Sequence, residues 1–450
     1  MQLKQFTYIY FIGIGGIGMS ALARYFLLMK KQVHGYDKTT SEVTDALQDL
    51  GAKVCFEDEK DLVDNGTYNA ANTLVIYTPA IPSTHQQLTF FRSQNFKVLK
   101  RSQILGLITK DTFCLAVSGT HGKTTTTSIL GHLMKVANVN MTAFLGGIAE
   151  NYNSNLIVNG TGVSVVEADE FDRSFLTLYP DMACVTSMDA DHLDIYNAKA
   201  ALEDSFKEFT KRLPKRGKLF VRNGIALSGI TYGINDGSDY QIKNLTIENG
   251  AYQFGIQTPS TYIEQLTLNL PGRHNLENAL VAFAMAYEYG CDVVSLREGL
   301  ATYCGVKRRF TYHIKRSDCV YIDDYAHHPE EIKAVHQAVR ELYPNKKVMA
   351  VFQPHLYSRT KDFVDEFAEA LALFDALILL DIYPARELPI AGVNSAWLFD
   401  KIVMADKQLL GKSELSKVLG ASDATVFVSM GAGDIGNEVL SIKQTLSHAH

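Results

Sequence analysis

The chain begins with apolar runs separated by polar segments, an arrangement that is typical of parallel sheets. Residues 8–14, YIYFIGI, form a continuous apolar run, which is followed by the glycines of GIGGIG and a helix-like segment, MSALARYFLLMK. Two more apolar runs occupy residues 32–37 and 71–82, and two prolines stop the second of them. Because buried parallel strands read as continuous apolar runs, the pattern predicts a strand, a glycine turn, a helix and further strands.

The same pattern starts again near residue 105. The runs at 111–124, 163–170 and 182–194 are apolar at first and end in glycine, threonine or acidic residues. Residues 231–268 instead alternate polar and apolar side chains, which predicts antiparallel hairpins.

A third set of apolar runs begins near residue 312. CVYIDDYAHH, KVMAVFQPH, ALILLDIYPA and TVFVSMGAGD each end in a polar cluster, and helix-like segments separate them. This alternation predicts a doubly wound parallel sheet, in which ligands bind beyond the carboxyl ends of the strands. The polar clusters of all three regions lie at such ends, so we expect the functional residues there.

The bulk composition narrows the class of protein. With 450 residues the chain is too long for one hydrophobic core, and we expect two or three domains. The net charge of −6 argues against binding to nucleic acid or to an anionic membrane. The six cysteines form no C-x-x-C pair, which favours reduced thiols in a cytosolic protein. No continuous apolar run of about 18 residues occurs, so we expect no membrane span.

The N-terminal apolar run allows a second interpretation. It follows Lys4 and precedes an A-x-A sequence at Ala21–Ala23, a combination that is found in secretory signals. The regular spacing of its glycines is better explained by a nucleotide-binding turn.

That glycine turn fits a phosphate-binding pattern. Gly13, Gly15 and Gly18 match G-x-G-x-x-G between a strand and a helix, and Asp37 lies about 20 residues further on. Glycines let the backbone approach a diphosphate, and the helix N-terminus adds N–H donors and partial positive charge. The motif predicts a nucleotide diphosphate site, with a tight turn that binds no ligand as the alternative. An NAD-dependent dehydrogenase would share this motif, but it leaves a second phosphate loop unexplained.

The second loop is GTHGKTTTT, at the end of an apolar run. Gly119 and Gly122 would let backbone N–H groups face phosphate oxygens, Lys123 would add a charge, and Thr124 would offer a hydroxyl to Mg²⁺. The spacing is two residues shorter than in the usual phosphate loop. A threonine-rich helix start is the alternative, but a lysine at a helix N-terminus is unfavourable unless an anion is present.

Acidic side chains and one histidine follow the next two predicted strands. They are Glu167, Asp169, Glu170, Asp189, Asp191, His192 and Asp194. Such side chains near a triphosphate can hold Mg²⁺, although each of them alone could be a solvated loop residue. Their coincidence with the lysine loop favours Glu167 and His192 as metal ligands.

Three later motifs are weaker when each is taken alone. In RHNLENA, Asn275 and Asn278 could cap a helix or contact a base, and Arg308 and Arg309 of KRRF could bind phosphate or form a solvated patch. DDYAHHPEEI has two adjacent histidines but no third ligand at a zinc-like spacing, which argues against structural zinc.

Several motifs occur in the order that is found in one family. They are GTHGKTTTT, VEADE, DADHLDIY, PGRHNLENA, GVKRRF, DDYAHHPEE, FQPHLYSRT and GAGDIG. On these motifs, which span nearly the whole chain, the protein resembles the Mur ligases of peptidoglycan synthesis. GIGGIGMS, DDYAHHPEE and FQPHLYSRT are most similar to the members that use L-alanine. Members that join a murein-derived tripeptide to the same sugar nucleotide are the main alternative.

The resemblance and the apolar pattern agree on an α/β fold with three domains. We expect an N-terminal Rossmann-like domain over residues 1–105 that binds the UDP substrate. Residues 106–310 would form a central ATP-binding ligase domain with a P-loop ATPase-like sheet and antiparallel hairpins. Residues 311–450 would form a C-terminal Rossmann-like domain.

The resemblance implies an ATP- and Mg²⁺-dependent ligation. ATP would phosphorylate the lactyl carboxylate of UDP-N-acetylmuramate, and the amino group of L-alanine would attack the acyl phosphate, giving ADP and phosphate. A free carboxylate is a poor electrophile because its charge repels an amine and its oxygen leaves badly. Phosphorylation supplies the leaving group, so the protein would act by positioning and charge neutralisation.

The resemblance also implies roles for single residues. Lys123, Glu167 and His192 would form the catalytic set. The metal ligands would be Thr124, Glu167 and His192. The ATP-binding residues would be Gly119, Thr120, His121, Gly122, Lys123, Thr124, Thr125, His274, Asn278, Arg309 and Asp324. The UDP-sugar residues would be Gly13, Gly15, Gly16, Gly18 and Asp37, and the amino-acid residues Tyr325, His327, His355 and Arg359.

One departure from the family lies in FQPHLYSRT, where many relatives carry arginine in place of Leu356. If that arginine binds a carboxylate, its loss removes a charged hydrogen bond of about 1.5–3 kcal/mol, and Arg359 or another residue must substitute. The remaining expectations are small-molecule substrates, no nucleic-acid or membrane partner, a cytoplasmic location, and a monomer or homodimer.

Overall fold

The computed structural model contains three β-sheets, which follow the three regions of the apolar pattern. It describes residues 3–189, 199–248, 250–385 and 387–449. The sheets have five, ten and six strands, and helices connect most of the parallel strands. The predicted α/β fold is therefore confirmed.

The first sheet is entirely parallel. Its strands are β1 (Tyr8–Ile12), β2 (Gln32–Tyr36), β3 (Lys53–Cys55), β4 (Thr73–Tyr77) and β5 (Lys97–Lys100), in the order β3-β2-β1-β4-β5. Its helices are α1 (Ile17–Leu28), α2 (Glu42–Asp49), α3 (Gln86–Ser93) and α4 (Arg101–Lys110). Ile9 and Phe11 of β1 face one buried cluster, and Tyr10 and Ile12 face another. Both faces of β1 are covered, which explains its continuous apolar run.

The central sheet is built around β6. Its strands are β6 (Phe113–Ser118), β7 (Met141–Ala149), β8 (Ser154–Val158), β9 (Val163–Ala168), β10 (Met182–Val185), β11 (Lys218–Arg222), β12 (Ile230–Ile234), β13 (Tyr240–Glu248), β14 (Ala251–Gln257) and β15 (Tyr262–Leu268). Its helices are α5 (Lys123–Val136), α6 (Lys199–Thr210), α7 (Arg273–Tyr289) and α8 (Val293–Thr302). The strand order is β15-β14-β13-β12-β11-β10-β6-β9-β7-β8.

The hairpin prediction for residues 231–268 needs one correction. β13, β14 and β15 follow one another along the chain and are neighbours in the sheet, as hairpins require. β12 and β13, however, pair in parallel, with Tyr232 opposite Tyr240. Alternation indicates which face of a strand is buried, and both tyrosines are buried, but it does not fix the direction of the neighbouring strand.

The third sheet has one antiparallel edge. Its strands are β16 (Thr311–Lys315), β17 (Val320–Asp324), β18 (Val348–Phe352), β19 (Ala376–Leu379), β20 (Lys407–Leu409) and β21 (Val426–Met430), in the order β16-β17-β21-β18-β19-β20. Its helices are α9 (Pro329–Leu342), α10 (Tyr357–Asp362), α11 (Val364–Leu371), α12 (Ser395–Lys401), α13 (Leu415–Gly420) and α14 (Val439–Ala449). Only the β16–β17 pair is antiparallel among the pairs of this sheet that the structure describes.

The chain divides into two compact units. The first comprises Met1–Lys243, Gly255–Leu266 and Asn278–Thr302, and the second comprises Asn244–Phe254, Thr267–Glu277 and Tyr303–His450. The predicted domain boundaries at residues 105 and 310 stay predictions, and the first of them falls inside α4. Within the described ranges, no helix is both long enough and apolar enough to cross a membrane.

Candidate active site

The glycine–lysine loop lies between the carboxyl end of β6 and the N-terminus of α5. β6 is an inner strand of the central sheet, with β10 on one side and β9 on the other. Gly119 begins the loop with a φ of +135°, and a Cβ atom there would lie 2.1 Å from Thr186 Oγ1. Glycine is needed for both the backbone angle and this close approach, so packing fixes the course of the loop.

The first turn of α5 begins after a glycine, which has no side chain to cap it. Gly122 precedes the helix with a φ of +80°, and no side chain of the described residues caps the turn. A Cβ atom on Gly122 would lie 2.5 Å from Asn278 Oδ1, so the loop backbone passes close to this predicted ATP contact. Uncapped N–H groups and the helix dipole favour an anion at this position.

Two polar residues after β10 hold the loop, and sequence reasoning did not assign them a role. Ser187 Oγ accepts a hydrogen bond from the His121 amide at 2.8 Å and lies 2.9 Å from Thr120 Oγ1. Thr186 Oγ1 donates to the His121 carbonyl at 2.5 Å. The signal that could have found them is the strand order, because β10 pairs with β6 in parallel and their ends meet.

The ammonium group of Lys123 is held by acceptors of the protein itself. Nζ lies 2.9 Å from each carboxylate oxygen of Glu170, 2.7 Å from the Gly119 carbonyl and 3.2 Å from the Thr120 carbonyl. Burial opposes the charge, but the carboxylates of Glu170 and Asp169 outweigh it and raise the pKa of Lys123. The lysine is therefore a cation at neutral pH, as phosphate binding requires.

Glu167, in β9, contacts Thr124, and both side chains are candidate metal ligands. The Thr124 hydroxyl donates to Glu167 Oε2 at 3.1 Å, and the Gly146 amide donates to Oε1 at 2.5 Å. Burial raises the pKa of Glu167 despite these hydrogen bonds and the nearby charge of Lys123. A half-buried carboxylate beside a hydroxyl is an oxygen-donor pair that a divalent cation would stabilise.

The third predicted metal ligand, His192, lies outside the described residues. Its place relative to Glu167 therefore stays a prediction. Over the ranges that the structure describes, no group of three or more His, Cys, Asp or Glu side chains could hold a metal ion. Of the remaining loop residues, Thr125 is buried in α5, and the His121 ring lies 3.7 Å from Asp189 Oδ2.

The GIGGIG turn joins β1 to α1 at the carboxyl end of the first sheet. The Gly13 amide donates to the Tyr36 carbonyl at 2.8 Å, and a Cβ atom on Gly13 would lie 2.8 Å from Thr78 Cγ2. The Gly15 amide donates to Asp37 Oδ2 at 2.7 Å. Asp37, a predicted UDP-sugar residue, thus closes the glycine turn in this structure.

A positive charge lies beside the same turn. Gly16 occupies the N-cap position of α1, and a Cβ atom on Gly18 would lie 3.0 Å from Arg101 Nη1. The guanidinium of Arg101 therefore packs on the first turn of the helix. Sequence reasoning missed this arginine because it lies far along the chain, at the start of α4. A helix N-terminus with a neighbouring guanidinium favours a diphosphate.

The helix after this turn is fastened to the edge of the central sheet within the first unit. Asn155 of β8 is fully buried and donates to the Ile17 carbonyl at 2.6 Å and to Ser20 Oγ at 2.8 Å. The rings of Tyr25 and Phe144 pack with centroids 5.4 Å apart. These contacts connect the glycine turn to the strand that supplies the Gly146 amide.

In the second unit, the two arginines of KRRF have different environments. Arg308 Nε lies 2.9 Å from an oxygen of the fully buried Asp323, and Nη2 donates to the Gly431 carbonyl at 2.8 Å. Arg308 is therefore a structural cation. The Arg309 guanidinium lies 5.0 Å from the ring centroid of Tyr325, and it has no hydrogen-bonded carboxylate among the described residues.

Asp324 follows Asp323 at the end of β17. Its Oδ2 accepts a hydrogen bond from the Phe310 amide and its Oδ1 one from the Ala326 amide, each at 2.7 Å. Burial raises the pKa of Asp324 to about 6, although Arg309 and these hydrogen bonds oppose the shift. Each carboxylate oxygen keeps a second lone pair, so the predicted ribose contact stays open to it.

The four predicted amino-acid residues lie together in the second unit. The ring of His327 is 5.3 Å from that of Tyr325 and 5.9 Å from that of His355. Burial, with a contribution from the charge of Arg359, lowers the pKa of both histidines to about 4. The neutral rings of His327 and His355 lie near the buried guanidinium of Arg359. Such a site would suit a small zwitterion whose carboxylate pairs with the arginine.

Leu356 lies within this group and has a strained backbone. Its φ is +72° with ψ at 136°, its amide donates to the Tyr383 carbonyl at 2.9 Å, and its carbonyl accepts from Thr360 Oγ1 at 2.8 Å. These bonds hold a conformation that residues other than glycine rarely adopt.

His274 is a predicted ATP residue of the same unit. Burial lowers the pKa of its ring to about 4.

Comparison with known proteins identifies the family. The models of the Mur ligase family, catalytic domain, the Mur ligase middle domain and the Mur ligase, glutamate ligase domain match residues 8–112, 117–286 and 308–432. A UDP-N-acetylmuramate–L-alanine ligase from Flavobacterium psychrophilum is 59% identical over 446 residues, which cover 99% of each chain. The chain belongs to the Mur ligase family. The family that the sequence motifs predicted is thereby confirmed.

Other Mur ligases are similar over nearly their full length. A UDP-N-acetylmuramate–L-alanine ligase from Parabacteroides distasonis is 46% identical, with 99% of this chain and 98% of the relative covered. The crystal structure of UDP-N-acetylmuramate-alanine ligase from Thermotoga maritima aligns with a TM-score of 0.82 at 28% identity, covering 98% of each chain. A murein peptide ligase from Psychrobacter arcticus shares the fold, with a TM-score of 0.69, 21% identity and 98% of each chain covered.

Proposed function

We propose that this Mur ligase joins L-alanine to the lactyl carboxylate of UDP-N-acetylmuramate and cleaves ATP to ADP and phosphate. The observation that carries the proposal is the pairing of Lys123, at an uncapped helix N-terminus, with the Thr124–Glu167 contact on the same turn. This arrangement is suited to a nucleotide triphosphate. The relatives that are 44–59% identical over nearly the whole chain carry the name of the alanine-adding ligase, which supports the choice of substrates.

Phosphoryl transfer needs positive charge around the moving phosphate. The amides of α5 and the ammonium of Lys123 would bind the β- and γ-phosphates and stabilise the charge that develops during transfer. Thr124 and Glu167, with His192, would hold Mg²⁺, which when bound neutralises phosphate charge. The product of this step is the acyl phosphate of the muramate, whose leaving group an amine can displace.

The two substrates have separate candidate sites. In the first unit, the amides of the GIGGIG turn and the Arg101 guanidinium would bind the diphosphate of the UDP sugar. In the second unit, Arg359 would bind the carboxylate of L-alanine, beside the rings of Tyr325, His327 and His355. Arg359 would thus replace the arginine that many relatives have in place of Leu356.

The nucleotide would also contact residues beyond the loop. In the first unit, the proposed contact is Asn278, next to Gly122. In the second unit, the proposed contacts are the residues that the family resemblance assigns to ATP, His274, Arg309 and Asp324. A cytoplasmic location, where ATP and UDP sugars are available, and a monomeric or homodimeric state complete the proposal.

The test is phosphate release by purified protein with Mg-ATP and UDP-N-acetylmuramate. L-Alanine, glycine, L-serine and the murein tripeptide are compared as amines, and the product mass is measured. We expect rapid release with L-alanine and a product heavier by one alanyl residue, and Lys123→Met as the control should abolish both. Turnover with the tripeptide alone would move the protein to the recycling ligases, and no turnover with any amine would refute ligation.

A further inference from the structure

The carboxylate of Glu170 is fully buried beside the phosphate loop and has no role in the chemistry proposed above. Its side chain is 0% exposed, while that of Lys123 is 15% exposed. Both carboxylate oxygens lie 2.9 Å from Lys123 Nζ, which is a two-oxygen contact to one ammonium group. The two glutamates of VEADE therefore have different contacts, with Glu167 next to Thr124 and Glu170 next to Lys123.

The backbone that carries Glu170 is firmly held. The carbonyl of Glu170 accepts a hydrogen bond from the Arg173 amide, and the Asp169 carbonyl accepts one from the Phe175 amide, each at 2.9 Å. The first bond starts the 3₁₀ turn that follows β9 (Phe171–Thr177) and the second spans its first residues, and the Phe175 ring stacks on that of Phe209 with centroids 4.9 Å apart. Glu170 is thus held in place, and it anchors the side chain of Lys123, which has four rotatable bonds.

Lys123 has three N–H donors and four acceptor atoms around it. Two of these atoms belong to the Glu170 carboxylate, and the others are the carbonyl oxygens of Gly119 and Thr120. A phosphate that binds Lys123 must take the place of some of them. A buried carboxylate that loses its cation is destabilised far more than a carbonyl that loses one neutral hydrogen bond. The exchange should therefore occur at the carbonyls.

We infer that Glu170 is a positioning residue for the proposed ATP reaction. It keeps Lys123 Nζ at one point of the loop, while the N–H groups that now bond Gly119 and Thr120 turn to the terminal phosphate. This inference rests on the proposed function, because it assumes that Lys123 contacts the γ-phosphate. Glu170 itself touches neither the substrate nor the reacting atoms.

The inference is tested by nucleotide binding without turnover. Calorimetry gives the Kd of ADP and of a non-hydrolysable ATP analogue, and the ratio of the two measures what the γ-phosphate adds. We expect wild type to bind the analogue more tightly than ADP. In Glu170→Gln the ratio of the two Kd values should fall about tenfold, which corresponds to about 1.4 kcal/mol. Lys123→Met should lower the ratio as well, and the double variant should lower it no more than Lys123→Met alone.

Two further variants separate positioning from general charge and from folding. Asp204→Asn, which removes a negative charge from a side chain that is 74% exposed, should keep the wild-type ratio. Glu170→Asp keeps the charge on a shorter side chain and should give an intermediate ratio, which tests the inference even if Glu170→Gln does not fold. Melting temperatures of the nucleotide-free variants show which proteins are folded.

Three results would overturn the inference. One is an unchanged ratio in Glu170→Gln when Lys123→Met lowers it. Another is tighter binding of both nucleotides by Glu170→Gln that vanishes without Lys123, since Glu170 would then be a competitor that phosphate displaces. If folded wild-type protein binds neither nucleotide, the proposed function itself fails, and the inference fails with it.

Discussion

The Thr124 hydroxyl donates a hydrogen bond to Glu167 Oε2 across 3.1 Å, which joins the first turn of α5 to β9. The other oxygen of Glu167 accepts the Gly146 amide of β7. Helix α5 and strands β7 and β9 therefore meet at the carboxylate of Glu167. Hydroxyl and carboxylate oxygens are the ligands that Mg²⁺ accepts alongside phosphates and water.

The first prediction concerns the charge of Glu167. Glu167→Gln keeps the shape of the side chain and one acceptor oxygen but removes the negative charge that would hold a cation. We expect the Mg²⁺ concentration for half-maximal phosphate release to rise roughly tenfold or more, as losses at metal sites commonly do. Glu208→Gln, at a side chain that is 55% exposed, is the control and should keep the wild-type value. An unchanged Mg²⁺ dependence in Glu167→Gln would remove Glu167 from the metal site.

The second prediction uses two glycines with similar positive φ angles. Gly122 has a φ of +80° and Gly224 one of +91°, but a Cβ atom on Gly122 would lie 2.5 Å from Asn278 Oδ1, while one on Gly224 meets no atom within 4 Å. Alanine at either position should lower the free energy of unfolding by about 1–2 kcal/mol through its backbone angle. Gly122→Ala should in addition weaken ATP binding about tenfold, because Asn278 must move.

Urea unfolding and calorimetry check this pair of variants. Equal ATP affinity in Gly122→Ala and Gly224→Ala would show that the loop tolerates a displaced Asn278. A loss of ATP affinity in Gly224→Ala would show that backbone strain acts on the site from a distance. Either result would contradict the role given to the close approach at Gly122.

The sequence predicted the strand–loop–helix course of GTHGKTTTT because that course depends on local features. A strand, two glycines and a lysine at a helix start are visible in GTHGKTTTT, and the structure places Gly119, Gly122 and Lys123 as that pattern requires. Likewise, the run at residues 8–14 identified β1, since a strand that is buried on both faces needs apolar side chains at successive positions.

The sequence could not separate neighbours whose roles depend on the tertiary fold. Glu167 and Glu170 both follow the apolar part of β9, but only the 3₁₀ turn that comes next directs Glu170 to Lys123. Arg308 and Arg309 are adjacent, and Arg308 reaches Asp323 from a backbone with a φ of +62°. No periodicity in the sequence reports that angle.

The third prediction concerns acid stability and His132 in α5. Its Nδ1 lies 2.6 Å from the Tyr152 hydroxyl and its Nε2 3.0 Å from Thr302 Oγ1. Burial, helped by the charge of Lys135, lowers the pKa of His132 from 6.5 to about 4. Between these pH values the unfolded chain binds a proton that the folded protein does not, so stability is lost as the pH falls. The loss from this one group is at most about 3 kcal/mol.

His132→Gln tests this contribution by urea unfolding at pH 7 and pH 4.5. Other histidines whose pKa is lowered by burial have the same sign, so wild type and variant should both be less stable in acid. They include His34, His85, His274, His327 and His355. We expect a smaller acid-induced loss in the variant than in wild type. The same loss in both would show that His132 is not buried in its neutral form.

The last prediction separates the adjacent arginines of KRRF. Arg308→Met leaves the buried Asp323 without its cation, although Ser429 Oγ still donates to it at 2.7 Å. A lost partner of a buried charge costs about 3–5 kcal/mol, so we expect a large fall in the free energy of unfolding. Arg309→Met removes a contact with the face of Tyr325 and a charge near Asp324, whose two backbone hydrogen bonds remain, so we expect a smaller change of about 1 kcal/mol.

Enzyme kinetics complete this comparison, because the variant with the smaller effect on stability should have the larger effect on the KM for ATP. Arg309 is the proposed nucleotide contact, so Arg309→Met should raise the KM for ATP in a protein of nearly wild-type stability. Arg308→Met, measured well below its unfolding midpoint, should keep a KM close to that of wild type. A raised KM in Arg308→Met with an unchanged KM in Arg309→Met would reverse the assignment, and Asp323 would then serve to orient a phosphate-binding arginine.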